Sequence, residues 1–201
     1  GVAGIAALPA LFFAGLQEAF GPALVDATDA LDAIKAPKSE EEIALIRAAA
    51  AMQDKVVEET VAHIRPGMRD FEVMAWAQYI GQLHGSELGM FYGSSAPAGQ
   101  PALLRPRSLQ GRTLREGDSF MLLVENAGPG GMFAHIARTV TLGRASSALE
   151  DAFDAAIEAQ RFTLDLLRPG VEARAVFADY SSYLNRKGLS AEKRLYCHGQ
   201  G

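Results

Sequence analysis

The sequence has little cysteine, no block of basic residues and no apolar run long enough to cross a bilayer. Cys197 is the only cysteine among 201 residues, which excludes an internal disulfide and predicts a reducing, cytoplasmic location. The net charge is -5 and the basic residues are dispersed, so we expect neither nucleic acid nor a membrane as a partner. The remaining composition, 49% hydrophobic and 21% charged, is typical of a globular protein.

The most apolar segment covers residues 1–16. It contains Pro9 and has no basic flank, whereas a membrane-spanning helix needs about 20 apolar residues. We therefore predict buried elements here: a small strand, a helix near 9–20 and a second strand in ALVDAT, residues 23–28. Because the chain starts with glycine and both ends interrupt a pattern, we also expect it to be a fragment.

A domain boundary is predicted where this apolar segment gives way to charged residues. Ser39 is followed three positions later by Glu42, which is the spacing of a helix capping box. Residues 1–38 are therefore predicted to be the end of a smaller α/β domain with its linker, and residues 39–201 to form a second domain.

The second domain contains two predicted helices followed by two predicted strands. The apolar periodicity places the helices at about 39–64 and 70–84. The segments SFMLLVEN and HIARTVTLG have the composition of strands, and the turn-prone AGPGG separates them. We expect these strands to form a hairpin.

An internal repeat is visible in the sequence. Arg-Pro-Gly occurs at 65–67 and again at 168–170, each time after a long predicted helix and before a shorter one. The matches continue on both sides of the turn, which favours a duplicated unit over two unrelated helix ends. We therefore divide the second domain into halves at 39–146 and 147–201, with the second half incomplete.

Three segments resemble the creatinase, prolidase and aminopeptidase P family, a group of M24 metallopeptidase-like proteins. They are IKAPKSEEEIALIRAAAAMQDKVVEETVAHIRPGMRDFEV, LREGDSFMLLVENAGPGGMFAHIARTVTLG and the closing HGQG. The resemblance implies an α+β pita-bread fold, in which two similar halves face each other. It also implies a hydrolase of C–N bonds (amide, amidine or Xaa-Pro peptide) that acts on small-molecule or dipeptide-like substrates as a homodimer.

Members of that family commonly bind two metal ions through two aspartates of the central hairpin, one histidine and two later glutamates. His198 takes the position of the histidine, and His135 stands where the second aspartate is expected. The first aspartate falls at Leu123 or Val124, and neither is polar. If Leu123 is the aligned position, Glu125 points to the same face of the strand, and otherwise it points away.

These departures predict that the protein is not a standard dimetal peptidase. A site for one divalent ion (Mn, Zn, Fe or Co) formed by Glu125, His135 and His198 stays open, although the missing aspartates weaken it. A catalytically silent binding protein and an Xaa-Pro peptidase with altered ligands are the alternatives.

Candidate site residues follow from the resemblance and from residue chemistry. We expect either His198 or His135, with Glu125 as a candidate helper, to activate a water molecule, and Arg138 to hold an anionic end of the substrate. Two further residues are predicted to contact the substrate: Asn126 as an amide donor, and Tyr92 as an aromatic wall of the pocket.

Overall fold

The computed structural model describes residues 8–192 and residue 199. Its centre is a three-stranded antiparallel sheet, with a helix pair on one face and a second helix pair later in the chain. The helices and strands are α1 (Ala10–Phe20), α2 (Thr28–Lys35), α3 (Glu40–His63), α4 (Asp70–Leu83), β1 (Leu88–Ala96), β2 (Ser119–Ala127), β3 (Phe133–Thr141), α5 (Ser147–Leu166) and α6 (Ala173–Arg186).

The amino-terminal segment is more helical than predicted. Helix α1 confirms the predicted helix near 9–20, but its predicted burial is wrong, because none of its residues is buried. The small strand predicted before it falls on residues outside the described part of the chain. The strand predicted over 23–28 is not formed: a 3-10 turn ends at Ala23, helix α2 begins at Thr28, and between them only Asp26 makes a single β-bridge. Asp26 Oδ1 accepts hydrogen bonds from the backbone N–H and hydroxyl of Thr28, which favours a helix start over an extended strand.

The predicted capping box at the start of α3 is confirmed. The Ser39 hydroxyl accepts from the Glu42 N–H at 3.2 Å, and the Glu42 carboxylate accepts from the Ser39 N–H at 2.7 Å. Both bonds satisfy donors that a helix start leaves without intrahelical partners. Across residues 8–192, no helix has the length and apolar character needed to span a membrane.

The sheet has the order β1-β2-β3, and its predicted hairpin is formed by β2 and β3. The connecting turn uses Gly130 and Gly131, which both have positive φ, 83° and 76°. Alternate residues of β2 pack against α3 and α4, and Phe120, Leu122 and Val124 have no exposed surface. The core of the molecule therefore lies between this face of the sheet and the two helices.

The predicted repeat is present in the structure. Helix α3 passes through Arg65-Pro66-Gly67 into α4, and α5 passes through Arg168-Pro169-Gly170 into α6. The turn glycines Gly67 and Gly170 both have positive φ, 93° and 84°. Thr60 and Thr163, one turn before each helix end, are both buried and both donate to the carbonyl four residues earlier. The two helix pairs share local geometry as well as sequence.

Candidate functional site

The two faces of strand β2 have different surroundings. Phe120, Leu122 and Val124 pack against the helices, whereas the alternate residues Leu123 and Glu125 are half-buried on the opposite face. We call this opposite face the open face of the sheet. Glu125 therefore shares a face with Leu123, and Val124 belongs to the apolar core.

Glu125 and His135 lie directly opposite each other on the open face. The register pairs Glu125 of β2 with His135 of β3 on one side and with Met90 of β1 on the other. Directly opposed residues of an antiparallel sheet have Cβ atoms about 4.5–5.5 Å apart, within reach of an imidazole and a carboxylate. His135 is exposed and Glu125 is half-buried. A carboxylate beside an imidazole can orient the ring.

Tyr92 lies on the same face, in the next row of the sheet. It is opposite Leu123, and its hydroxyl lies 3.5 Å from the sulfur of Met90, which belongs to the row of Glu125. The phenol group therefore points along the strand toward the carboxylate row. Tyr92 lines a cavity of about 380 Å³ with Met90 and Arg107, which is separate from the cavity beside the β2–β3 hairpin, so its predicted contact with the substrate stays a prediction.

A cavity of about 440 Å³ lies between the β2–β3 hairpin and the linker that connects the two predicted domains. The cavity-lining residues include Glu125, His135 and Gly199 and three charged residues that sequence reasoning missed: Lys35, Lys38 and Glu42. The capping box identifies Glu42 as a helix-start residue but not as a cavity residue, and no motif marks the two lysines, because only the folded chain brings these three residues to the hairpin. His198, the neighbour of Gly199 in sequence, lies outside the described residues.

Arg138 and Asn126 occupy the helix-facing side of the sheet. Arg138 is opposite Leu122, and its guanidinium donates to the carbonyl of Ala137 at 2.8 Å. Asn126 has no exposed surface, and its Oδ1 accepts from Gln53 Nε2 at 2.8 Å. The structure therefore does not bring either residue onto the face that carries Glu125 and His135.

An ion-pair network fixes the start of β2 to the rest of the sheet. Asp118 accepts from the guanidinium of Arg112, which also donates to the Ser95 hydroxyl at 2.9 Å. Ser95 in turn donates to Asp70 at the beginning of α4. The hydrogen bonds from Arg112 hold the pKa of the Asp118 carboxyl below its usual value, although burial acts in the opposite direction.

The described residues do not fit a pair of bridged metal ions. The open face offers one carboxylate, Glu125, and one imidazole, His135, and their sequence neighbours Val124 and Asn126 point away. Within residues 8–192 and 199, no group of three or more His, Cys, Asp or Glu side chains has the arrangement of a metal site. Two hard dications held together require several bridging carboxylate oxygens.

Sequence comparisons relate the chain to peptidases. The profile of metallopeptidase family M24 matches residues 44–201. The probable dipeptidase PepE of Mycobacterium tuberculosis is 30% identical over 195 residues, which are 96% of this chain and 51% of the relative. The Xaa-Pro dipeptidase of Pyrococcus furiosus is 24% identical over 150 residues, covering 73% of this chain and 41% of the relative. The chain thus spans about half the length of the curated relatives that it matches.

Solved structures have the same fold. Dipeptidase PepE from Mycobacterium ulcerans superposes with a TM-score of 0.75 at 27% identity, covering 90% of this chain and 48% of that structure. Prolidase from Pyrococcus furiosus gives a TM-score of 0.76 at 22% identity, covering 94% of this chain and 55% of that structure. These similarities confirm the predicted pita-bread fold.

Proposed function

Because the chain belongs to metallopeptidase family M24, we propose that the protein hydrolyses C–N bonds of small, dipeptide-like substrates at the cavity beside the hairpin. The observation that carries this proposal is the Glu125–His135 pair, which faces the cavity from two adjacent strands. The names of its relatives, a probable dipeptidase and an Xaa-Pro dipeptidase, favour a dipeptide over a larger substrate.

The proposed chemistry is hydrolysis by an activated water. The His135 imidazole takes a proton from water while the Glu125 carboxylate stabilises the resulting positive charge. The water oxygen then bonds to the carbonyl or amidine carbon. The C–N bond breaks, and the leaving nitrogen takes the proton back from His135. His198 is proposed as a third group at this cavity, which its neighbour Gly199 lines.

The charges around the cavity suit a substrate with two charged ends. Lys35, Lys38 and Glu42 line the cavity. We expect the two lysines to bind a carboxylate and Glu42 to bind an ammonium group. A free dipeptide carries one of each. The lysines replace Arg138 in this role, because Arg138 belongs to the other face of the sheet.

The proposed reaction uses no step through a metal ion, because the described donor set does not suit a dinuclear centre. We expect the full-length protein, purified without added metal, to carry well under one equivalent per chain. Elemental analysis that finds two tightly held equivalents would contradict this. The missing aspartates also favour a second candidate, a catalytically silent pita-bread protein that binds a dipeptide without cleaving it.

We further expect the protein to act in the cytoplasm as a homodimer. The described amino-terminal helices expose large apolar side chains, among them Leu11, Phe12 and Ile34. Symmetric pairing is the commonest way to cover such a surface. Light scattering on the full-length protein measures the mass, and a monomer would contradict the expectation.

The test uses the full-length protein with a panel of dipeptides, including Xaa-Pro dipeptides, and amidine substrates. We expect Glu125→Gln and His135→Ala each to lower kcat by about 100-fold or more, because general acid–base groups contribute about 10²–10⁴. His84→Ala is the matched control, since His84 pairs with Glu59 at 2.7 Å away from the cavity.

Two outcomes would contradict the proposed function. Equal losses of kcat in His135→Ala and His84→Ala would show that the position of His135 at the cavity is not the reason for its effect on catalysis. If the wild-type protein binds dipeptides in calorimetry and cleaves none of them, with or without added metal, the silent binding protein is the correct interpretation.

A further inference from the structure

A pair of buried amides lies in the apolar layer between α3 and the sheet. Gln53 of α3 is 2% exposed and Asn126 of β2 is not exposed at all. Gln53 Nε2 donates to Asn126 Oδ1 at 2.8 Å and also to the backbone carbonyl of Ala134 on β3. One side-chain amide group of the helix therefore binds both strands of the hairpin.

The orientation of the two amides follows from their partners. The carbonyl of Ala134 can only accept, so the atom of Gln53 that faces it is the NH₂ group. The atom of Asn126 that faces this donor is consequently its oxygen. The Asn126 NH₂ is then directed elsewhere, and it has no hydrogen-bond partner within the described part of the chain.

Two glycines make room for this arrangement. A Cβ at Gly89 of β1 would lie 2.6 Å from the Cβ of Asn126, closer than real atoms approach. A Cβ at Gly81 of α4 would lie 3.2 Å from Asn126 Nδ2. Neighbouring elements on two sides thus accommodate the asparagine, although one of its polar groups is left unpaired.

The amide pair is adjacent to the candidate catalytic pair in both strands. Asn126 directly follows Glu125, Ala134 directly precedes His135, and Asn126 and Ala134 are themselves register partners. A shift of either backbone at this point would move the side chain on the other face by a similar distance. From the helix side, Gln53 donates to both residues of this register pair, Asn126 and Ala134.

We propose that Gln53 is a positioning residue, which through Asn126 and Ala134 holds Glu125 and His135 at their working separation. The role of Glu125 and His135 in this inference rests on the proposed function. The positioning role of Gln53 rests on its hydrogen bonds alone.

Stability alone does not account for the pair. A buried polar group without a partner costs free energy, and apolar groups of the same shape in both positions are often neutral or stabilising. The Asn126 NH₂ is such a group. What an apolar pair cannot supply is a directional bond to the Ala134 carbonyl, which sets where β3 lies against α3.

The test separates stability from positioning with three variants and one control. The variants are Gln53→Met, Asn126→Leu and the double variant, and the control is Thr60→Val. Thr60 is another buried polar residue of α3, but its hydroxyl donates only within the helix, to Val56. Each full-length variant is examined by chemical denaturation, by hydrogen–deuterium exchange of hairpin peptides, and by kcat and KM on the best dipeptide.

We expect Gln53→Met to lower kcat by about 10- to 100-fold with little change in KM, because a 1 Å misplacement can cost about 10²-fold. Exchange should rise in peptides that cover residues 123–137 and remain unchanged in β1. The double variant should be more stable than Gln53→Met, because the side-chain amide of Asn126 is no longer buried without its partner. Its kcat should nevertheless stay low. Thr60→Val should change neither kcat nor hairpin exchange.

The inference is overturned if Gln53→Met keeps wild-type kcat and wild-type hairpin exchange, or if Thr60→Val produces the same changes. If the wild-type protein cleaves no dipeptide, the proposed function fails, and hairpin exchange decides the positioning role by itself. If Gln53→Met does not fold, the double variant provides the same comparison, and a double variant with wild-type exchange also overturns the inference.

Discussion

The two faces of strand β2 consist of alternate residues of one segment. One face forms the core and the other carries the candidate catalytic residues. Toward α3 and α4, Phe120, Leu122 and Val124 are fully buried and form the core. On the open face, Leu123 and Glu125 are half-buried beside a cavity. Successive side chains of a strand point to opposite faces, so each core residue of β2 is followed by a residue of the open face.

The separation has an exception at Asn126. It lies on the helix-facing side with no exposed surface, and it is polar. Its position beside Glu125 explains the exception under the positioning proposal, since a core residue there influences the opposite face. Substitutions on the two faces should therefore differ in stability and in activity, with the amide pair affecting both.

The largest difference is expected between Phe120→Ala and Leu123→Ala. Removing the buried phenyl ring should lower the free energy of unfolding by about 3–5 kcal/mol, because it leaves a cavity as well as losing burial. Leu123→Ala on the half-buried open face should cost about 1 kcal/mol. Chemical denaturation of both variants measures the difference, and equal losses would contradict the assignment of the two faces.

A smaller loss is expected for Asp118→Asn at the start of β2. Breaking a buried ion pair costs about 3–5 kcal/mol, and partial exposure of Arg112 reduces the expected loss here to about 2 kcal/mol. The side chain of Arg112 is 30% exposed and that of Asp118 is 5% exposed. The control is Glu158→Gln, because Glu158 pairs with Lys187 on the surface, where solvent screens the ion pair, and its loss should change the free energy of unfolding little.

The same carboxylate predicts a pH dependence. The pKa of Asp118 is lower in the folded state than its usual value of about 3.9, so its contribution to stability is present above about pH 4. This contribution is lost as the pH falls through the lowered folded pKa. Wild-type stability should therefore fall more steeply below pH 4 than that of Asp118→Asn. Parallel curves for the two proteins would refute the role of this ion pair.

The smallest effect is expected at the helix caps. Ser39→Ala should lower the free energy of unfolding by about 1 kcal/mol, because it removes the side-chain cap of α3. Helix α3 packs on the core face of the sheet. Ser146 caps α5 with a single bond to the Leu149 N–H, so Ser146→Ala should cost somewhat less. Neither variant should alter kcat. The Glu42 carboxylate keeps its bond from the backbone N–H of residue 39 in this variant. A loss of activity in Ser39→Ala without unfolding would mean that the Ser39 hydroxyl also positions Glu42 at the cavity.

The candidate site was partly predictable from sequence. The sequence identifies Glu125 and His135 as candidates but leaves the face of Glu125 open, and the register places the two residues opposite each other. The choice between Leu123 and Val124 was not predictable, because it depends on which side of the sheet the helices cover. Lys35 and Lys38 were missed, since their place at the cavity depends on the path of the linker.

The sequence by itself determined the helices α1, α3 and α4, the capping box at Ser39 and the repeated Arg-Pro-Gly turn, because these depend on neighbouring residues along the chain. Tertiary structure decided which face of β2 became the core, where Arg138 and Asn126 point, and which linker charges meet the hairpin. These features depend on packing between segments far apart in sequence. The segment at 23–28 shows the difference most directly, because its apolar residues predict a strand, whereas the folded chain has one bridge residue, Asp26, between a 3-10 turn and helix α2.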